Sequence, residues 1–308
     1  MALILLSLLS FSLNSQALSG QNSRGVNRSD AIMLPPSQWG EIKFAKSDGV
    51  NFDHDYGVGA YAGPAELWDP DNGFLVQSTN PASYALNFPT TGAHQLYFDL
   101  IIEGEASQLT WAPVTHEGIT ATVRLITGCD RKCNVVYRVF LKGPEAKDEW
   151  FNPYPGLIAK PNLPQTFELV GRDSGGNEIL KYGFVLQKWF VTRGGALKRL
   201  PEQQSWCSSI GYRLPQVRDL TNARSRFSAT PLSSGNHYQR RLGAGLFTEW
   251  APMNSYDRAE LYYSYWTSDG MPVNDGSYKH GDLIVASYDG HIGVDIVRGI
   301  HYAMCVTP

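Results

Sequence analysis

The sequence is poor in charge and carries no cluster of one sign. Charged residues make up 18% of the 308 positions, the net charge is −3 at pH 7, and no basic run occurs. Proteins that bind phosphate backbones cluster lysine and arginine, so we expect no nucleic-acid partner. No apolar stretch reaches the ~20 residues of a membrane helix, so we expect no membrane insertion by this chain.

Signatures of catalysis are also missing. The seven histidines are scattered, and none stands in a His-Glu-x-x-His pattern. The Asp-Ser-Gly-Gly segment at 173–176 resembles a serine-protease nucleophile, but Arg172 precedes it and no upstream His motif accompanies it, so we interpret it as a hairpin turn. The Asp-His-Asp segment at 53–55 has no second His at metal-ligand spacing, which favours a solvated loop. We therefore predict a protein that is not an enzyme and uses no cofactor.

Cysteine is scarce, with four residues that allow three pairings. Cys129 and Cys133 flank a short turn, whereas Cys207 and Cys305 stand far apart in the chain. A zinc site would favour two-residue spacings and a nearby His, neither of which occurs at Cys129. In an exported protein two disulfides are the better interpretation.

Export is indicated by the N-terminus, which holds the longest apolar run. That run spans residues 2–13, and Ala-Leu-Ser at 17–19 supplies the small residues that a signal peptidase reads. No Lys or Arg precedes the run, and the alternative is a chance apolar stretch after a misplaced gene start. We predict a signal peptide over 1–19 and a disordered polar linker over 20–29.

Turn residues and aromatic residues are abundant: 30 Gly, 18 Pro, 13 Phe, 16 Tyr and 8 Trp. Apolar residues alternate over 95–102, 120–126 and 134–142, which predicts half-buried strands. Because no segment of this region keeps a 3.6-residue period, we predict a β-sandwich domain over 30–164. Its end is marked by Pro-punctuated segments at 152–156 and 160–164.

The C-terminal part, residues 165–308, mixes strands with short helices. Strands are predicted over 166–170, 182–191, 283–287, 292–297 and 302–307, with hairpin turns at 173–177 and 289–290. A helix over 203–210 ends before Gly211, and a second helix begins after Leu214 and keeps helical spacing to Phe227. Residues 228–260 predict long loops.

Several short segments of this part stand in a distinctive order. They are Tyr-Gly-Phe-Val-Leu-Gln-Lys-Trp-Phe-Val (182–191), Trp-Cys-Ser-Ser-Ile-Gly-Tyr-Arg-Leu-Pro (206–215), Asp-Leu-Thr (219–221), Phe-Thr-Glu-Trp (247–250), Tyr-Trp-Thr-Ser-Asp (265–269) and Tyr-Ala-Met-Cys-Val (302–306). In type and order they resemble the lectin-like tips of invasin- and intimin-type inverse autotransporter adhesins. The resemblance implies a mainly β chain with a small α+β part, in which the β-sandwich is followed by a C-type-lectin-like domain over 165–308.

The same resemblance implies a function in cell adhesion and virulence. Such a tip is exported, sits on the bacterial outer membrane or is secreted, and binds a host-cell surface protein or glycoprotein. The family's membrane anchor is a separate N-terminal β-barrel followed by immunoglobulin-like repeats. We recognise neither in this sequence, so a stand-alone secreted relative and a fragment of a larger adhesin both stay open. The alternative function is that of an exported glycan-binding or glycan-acting protein.

Calcium-dependent lectins carry a Glu-Pro-Asn or Gln-Pro-Asp tripeptide and a Trp-Asn-Asp segment. The first is absent here, and Trp-Thr-Ser-Asp at 266–269 replaces the second. One carboxylate remains where calcium takes roughly six to eight oxygen ligands. We expect Trp266 in the core, Asp269 at a turn, and binding without calcium.

Aromatic residues among Ser, Gly and Asn mark residues 231–281 as a binding region, because they bury much area at little entropic cost. We expect Trp250 and Trp266 to be buried. The candidate ligand-binding residues, expected to reach solvent, are Tyr256, Asp257, Tyr262, Tyr263, Asp275 and Tyr278.

Overall fold

The chain is mainly β, as its alternating patterns predict. A computed structural model describes residues 40–47, 57–104, 108–126, 135–256, 263–276, 278–296 and 299–308. The strands are β1 (Glu41–Ser47), β2 (Trp68–Asp69), β3 (Gly73–Leu75), β4 (Thr91–Ala93), β5 (Tyr97–Glu103), β6 (Thr110–Trp111), β7 (Val114–His116), β8 (Ile119–Leu125), β9 (Val135–Lys142), β10 (Gln165–Arg172), β11 (Glu178–Leu186), β12 (Lys188–Thr192), β13 (Ser264–Asp275), β14 (Tyr278–Ala286), β15 (Ile292–Asp295) and β16 (Met304–Val306). The helices are α1 (Leu200–Ser209), α2 (Val217–Leu220) and α3 (Leu246–Trp250). Among the described residues, no helix is long and apolar enough to cross a membrane.

The largest sheet has seven strands in the order β2-β3-β1-β5-β9-β8-β7. Its central strands alternate as predicted: Phe98 on β5 lies opposite Val139 on β9, and both are buried. On the other face Arg138 donates two hydrogen bonds to the Asp99 carboxylate, at 2.7 and 2.8 Å. Period-two patterning therefore directs one face to the core and leaves ion pairs on the other.

A second sheet, β11-β10-β6, packs its aromatic face on the first. The Phe184 ring lies 5.8 Å from Phe98 and stacks on Phe167 at 5.2 Å. Asp173 Oδ1 accepts from the backbone N–H of Gly175 at 2.8 Å, in the turn between β10 and β11. The segment 173–176 is thus a hairpin turn, as interpreted from the sequence.

Two predicted elements differ from the structure. The strand predicted over 182–191 is broken at Gln187, because β11 stays in the second sheet while β12 joins a third, β16-β12-β4. The helix predicted to reach Phe227 ends at Leu220. Beyond that residue the Thr248 hydroxyl accepts the Asn222 N–H at 3.1 Å, so a tertiary contact takes the place of a helical carbonyl.

The predicted binding region, residues 231–281, contains regular structure that the sequence patterns did not indicate. Strands β13 and β14 form a long antiparallel hairpin, and β14 pairs in turn with β15. The hairpin between β14 and β15 is the one predicted around residues 289–290. Strand β13 escaped prediction because it includes Gly, Pro, Asn and Asp, which strands usually exclude.

One predicted disulfide is present. Cys207 on α1 joins Cys305 on β16, across a sequence separation of 98 residues and with Cα atoms 5.4 Å apart. Both residues are fully buried. Cys129 and Cys133, and the segment 53–55, lie outside the described residues.

Backbone pairing crosses the position where the sequence predicts a domain boundary, between residues 164 and 165. Strand β4 pairs in parallel with β12, with Gly92 opposite Trp189, and β6 pairs with β10, with Trp111 opposite Gly171. Residues Gln38–Pro308 accordingly form one compact unit. The division into two domains stays a prediction.

Candidate binding surface

The hairpin β13–β14 carries part of the surface predicted from the sequence. Its first residues are core: Tyr265, Trp266 and Thr267 are at most 1% exposed. Trp266 Nε1 donates to the Lys198 carbonyl at 2.9 Å, and Thr267 Oγ1 donates to the Leu283 carbonyl at 2.8 Å. The hairpin therefore starts from a rigid base, which a binding site needs. The expected burial of Trp266, and likewise of Trp250, is confirmed.

Three predicted binding residues lie on or beside this hairpin. Tyr263 is 65% exposed, with its ring 6.5 Å from that of Tyr288. Asp275 and Tyr278 are register partners at the far end of the hairpin, and their side chains lie outside the described part. Asp257 and Tyr262 also lie outside the described residues. The assignment of all five to a ligand-binding surface stays a prediction.

The expected exposure of Tyr256 is wrong. Its side chain is 1% exposed, and its ring lies 5.1 Å from Tyr97 and 5.8 Å from Trp250. A 3₁₀ turn at Met253–Ser255 brings this tyrosine inward against β5, where edge-on aromatic contacts stabilise it. Composition alone does not distinguish a core tyrosine from a surface one.

A small apolar patch follows the hairpin toward its far end. We call Val273, Val294 and Ile296, grouped around Gly281, the hairpin patch. A Cβ at Gly281 would lie 2.4 Å from Val294 Cγ1 and 3.1 Å from Val273 Cγ1, so only glycine allows these side chains to meet over the strand. Val294 is 44% exposed, although the register partner Leu283 is 1% exposed. The core-facing side of this sheet therefore continues into solvent.

The sequence marks these strands but not the hairpin patch. The alternation over 283–287 and 292–297 predicts strands whose apolar residues face inward. Helix α2, which has only four residues, contacts both strands of the hairpin. The exposure of Val294 depends on which elements pack over it, and no local signal encodes that.

Acidic side chains near the patch each have a histidine partner. Asp282 and Asp295 are cross-strand neighbours. His280 Nε2 lies 3.3 Å from Asp282 Oδ1, and His301 Nε2 lies 3.0 Å from Asp295 Oδ2. In the described part of the chain no group of three or more His, Cys, Asp or Glu side chains could hold a metal ion.

Ser264, His301 and Asp295 form a hydrogen-bonded chain of the composition used in hydrolases. Ser264 Oγ lies 2.8 Å from His301 Nδ1, and the other ring nitrogen faces Asp295. Asp295 also accepts the Gly299 N–H at 3.0 Å, and the Ser264 carbonyl accepts the Tyr302 N–H at 3.1 Å. These bonds tie β13 to the C-terminal segment, so we assign the chain of groups a structural role.

Asp269, the carboxylate at the position of the calcium ligand in lectins, is hydrogen-bonded to a helix of this fold. Asp269 Oδ2 accepts the Val217 N–H at 2.7 Å, at the first residue of α2. An acidic group there satisfies a free backbone donor of the helix. Asp269 therefore caps a helix, where the sequence suggested a turn.

The motif segment 247–250 is fully buried in the core. Glu249 is fully buried and accepts hydrogen bonds from the backbone N–H groups of Thr90 and Thr91, both at 3.0 Å. Burial raises the pKa of the Glu249 carboxyl, while hydrogen bonds from these two threonines oppose the rise. Arg240, equally buried, donates to the carbonyls of Thr248, Glu249 and Ala251.

Comparison with solved structures identifies invasin and intimin fragments as structural neighbours. An invasin described as a bacterial integrin-binding protein has 11% identity and a TM-score of 0.42, over 73% of this chain and 36% of that one. An intimin C-terminal fragment in complex with the translocated intimin receptor has 12% identity and a TM-score of 0.45, over 87% and 65%. A second intimin complex, with Tir90, has 10% identity and a TM-score of 0.40, over 86% and 98%.

These neighbours are of the two adhesin types that the ordered sequence motifs resemble. The chain spans less than two thirds of the length of the first two structures. Neither a family model nor a curated protein sequence matches it.

Proposed function

We propose that this chain is the binding tip of a bacterial cell-surface adhesin, exported, non-enzymatic and free of cofactor. Its partner is a host-cell surface protein or glycoprotein. Support comes from the ordered motifs over 182–306 and from the buried disulfide that an exported protein forms. The same motifs favour a lectin-like domain over 165–308.

The single observation that carries the binding role is the hairpin patch. Apolar side chains that meet over Gly281, on a hairpin with a buried base, form a partly exposed apolar surface. Such patches suit protein contacts, because rigid apolar anchors lose little entropy on binding. Asp269, engaged at α2, supports binding without calcium.

The test is the binding of purified residues 28–308 to host cells, with calcium and with chelator, beside a glycan array. We expect saturable binding that soluble protein competes away and chelation does not change. Val294→Ser should weaken binding at least about fivefold, since truncating an interface anchor costs more than about 1 kcal/mol. Val58→Ser is the matched control, because Val58 is similarly exposed at 39%.

Three outcomes contradict the proposal. The absence of saturable binding removes the adhesin role. Equal affinities of the Val294→Ser and Val58→Ser variants remove the hairpin patch from the interface. A calcium-dependent signal on the glycan array identifies a working lectin instead.

A further inference from the structure

The most exposed large apolar side chains of the described residues lie close together in sequence. Phe151, Tyr154 and Leu157 are 76%, 88% and 80% exposed. No charged residue occurs from 150 to 159. Single exposed apolar residues are common on soluble proteins, but three in seven residues point to a contact surface.

Exposure in this segment changes with a period of three. Pro155 and Pro161 are buried and Ile158 is half-buried against the core, whereas Tyr154 and Leu157 point to solvent. Residues 155–163 belong to no helix or strand. Three residues per turn is the repeat of a polyproline II helix, while strands repeat every two residues and α-helices every 3.6.

The rest of the protein holds the segment in place. Trp150 Nε1 donates to the Thr192 carbonyl at 2.9 Å before it, and Tyr212 Oη donates to the Ala159 carbonyl at 2.8 Å near its end. A segment already ordered in this way loses little conformational entropy when a partner binds.

Between these anchors the Ile158 N–H donates to the Ile210 carbonyl at 3.3 Å, whereas the backbone carbonyls are accessible to a partner. Among the described residues, none donates a hydrogen bond to the backbone carbonyls of residues 151–158. Polyproline II helices are recognised through such unpaired carbonyls together with side chains that enter aromatic grooves.

We propose that residues 154–159, the proline segment, dock as a polyproline II helix into an aromatic-lined groove of a partner protein that supplies hydrogen-bond donors. Tyr154 and Leu157 enter the groove, and Phe151 contacts its rim. Tyr or Trp side chains of the groove donate to the carbonyls. This surface is distinct in sequence from the hairpin patch and does not depend on the adhesin role.

A protein groove fits these features better than a lipid surface. Carbonyls without donors cost several kcal/mol each in hydrocarbon. The charged neighbours of the segment are Lys147, Asp148, Glu149 and Lys160, which sum to zero and provide no attraction to anionic lipid.

The test is titration of the full chain with purified SH3, WW and EVH1 domains, whose grooves are of this class. We expect saturable binding to at least one domain, little changed by salt because the segment is uncharged. The double variant Tyr154→Ala/Leu157→Ala should lower the affinity at least tenfold. Its thermal midpoint should match the parent, because neither side chain is in the core.

The matched control is Leu86→Ala/Leu197→Ala, which removes two exposed large apolar side chains from positions elsewhere and should bind like the parent. Absence of binding to all three domains overturns the proposal, as does equal binding by the two double variants. Vesicles of phosphatidylcholine and phosphatidylserine are the second probe. Binding to them that requires Tyr154 and Leu157 overturns the proposal in favour of a lipid partner.

Discussion

At the scale of single residues, one buried carboxylate joins separate parts of the C-terminal half. Asp219 is 1% exposed, and its carboxylate lies 2.6 Å from Arg213 and 2.7 Å from Lys188. It also accepts the Gln216 N–H at 2.8 Å. Burial alone would raise the pKa of Asp219, but the hydrogen bond from Arg213 and the charge and hydrogen bond of Lys188 outweigh it and lower that pKa below its usual value.

This shift predicts an acid-dependent loss of stability. A depressed folded-state pKa stabilises the fold above the unfolded pKa of about 3.9, and that stabilisation disappears as the pH falls through the folded pKa. Asp219→Asn should cost about 2 kcal/mol at pH 7, because it weakens the charge-assisted hydrogen bonds to two partly solvated cations, and it should flatten the pH dependence below about pH 4. Urea unfolding at pH 7, 4 and 3 measures this.

Asp148→Asn is the control for the acid experiment, because Asp148 is exposed. It should change the unfolding free energy by less than about 0.5 kcal/mol. If Asp219→Asn and the parent lose stability in parallel as the pH falls, the carboxylate does not contribute as described.

At the scale of elements, one covalent bond joins the first helix to the last strand. Strand β16 has three residues and pairs with β12, while its Cys305 is linked to α1. So short a strand provides few backbone hydrogen bonds of its own. The disulfide therefore limits how far the C-terminus can separate from α1 in the unfolded chain.

Cys207→Ala/Cys305→Ala should lower the unfolding free energy by about 4–5 kcal/mol, from the entropy of closing a 98-residue loop. Urea unfolding with and without reductant measures this. Reductant should destabilise the parent by a similar amount and leave the double variant unchanged. A loss below about 1 kcal/mol would show that β16 is held by packing alone.

At the scale of the whole molecule, the two halves share sheets and core. Glu249 on α3 takes backbone hydrogen bonds from Thr90 and Thr91, and the Trp250 Nε1 donates to the Thr91 carbonyl at 3.0 Å. Separating the halves would break these bonds and expose the apolar surface that the two halves share, which destabilises both. Cooperative unfolding of residues 40–308 as one unit is the expected consequence.

Two measurements test that cooperativity. Near-ultraviolet and far-ultraviolet circular dichroism should report one coincident thermal transition for residues 40–308. The fragment 165–308 alone should show no cooperative near-ultraviolet transition, because it lacks β4 beside β12. An independently folded fragment would instead confirm the domain boundary predicted from the sequence.

The sequence by itself determined the features that depend on local patterning. Alternation predicted β5, β8 and β9, the Asp-Ser-Gly-Gly turn followed from its residues, and the ordered motifs pointed to the adhesin types found among the structural neighbours. Burial of Trp250 and Trp266 was equally accessible, because large aromatic residues in such segments usually fill cores.

Only the tertiary structure decided the features that depend on distant neighbours. The Thr248 hydroxyl binds the backbone beyond the end of α2. The rings of Tyr97 and Trp250 enclose Tyr256. The Asp269 carboxylate accepts a hydrogen bond from the first residue of α2. The hairpin patch and the proline segment are exposed because nothing in the described fold covers them, and coverage is a property of packed elements. Local patterns determine which residues are apolar, whereas the packing of remote elements determines which of them reach solvent and can bind a partner.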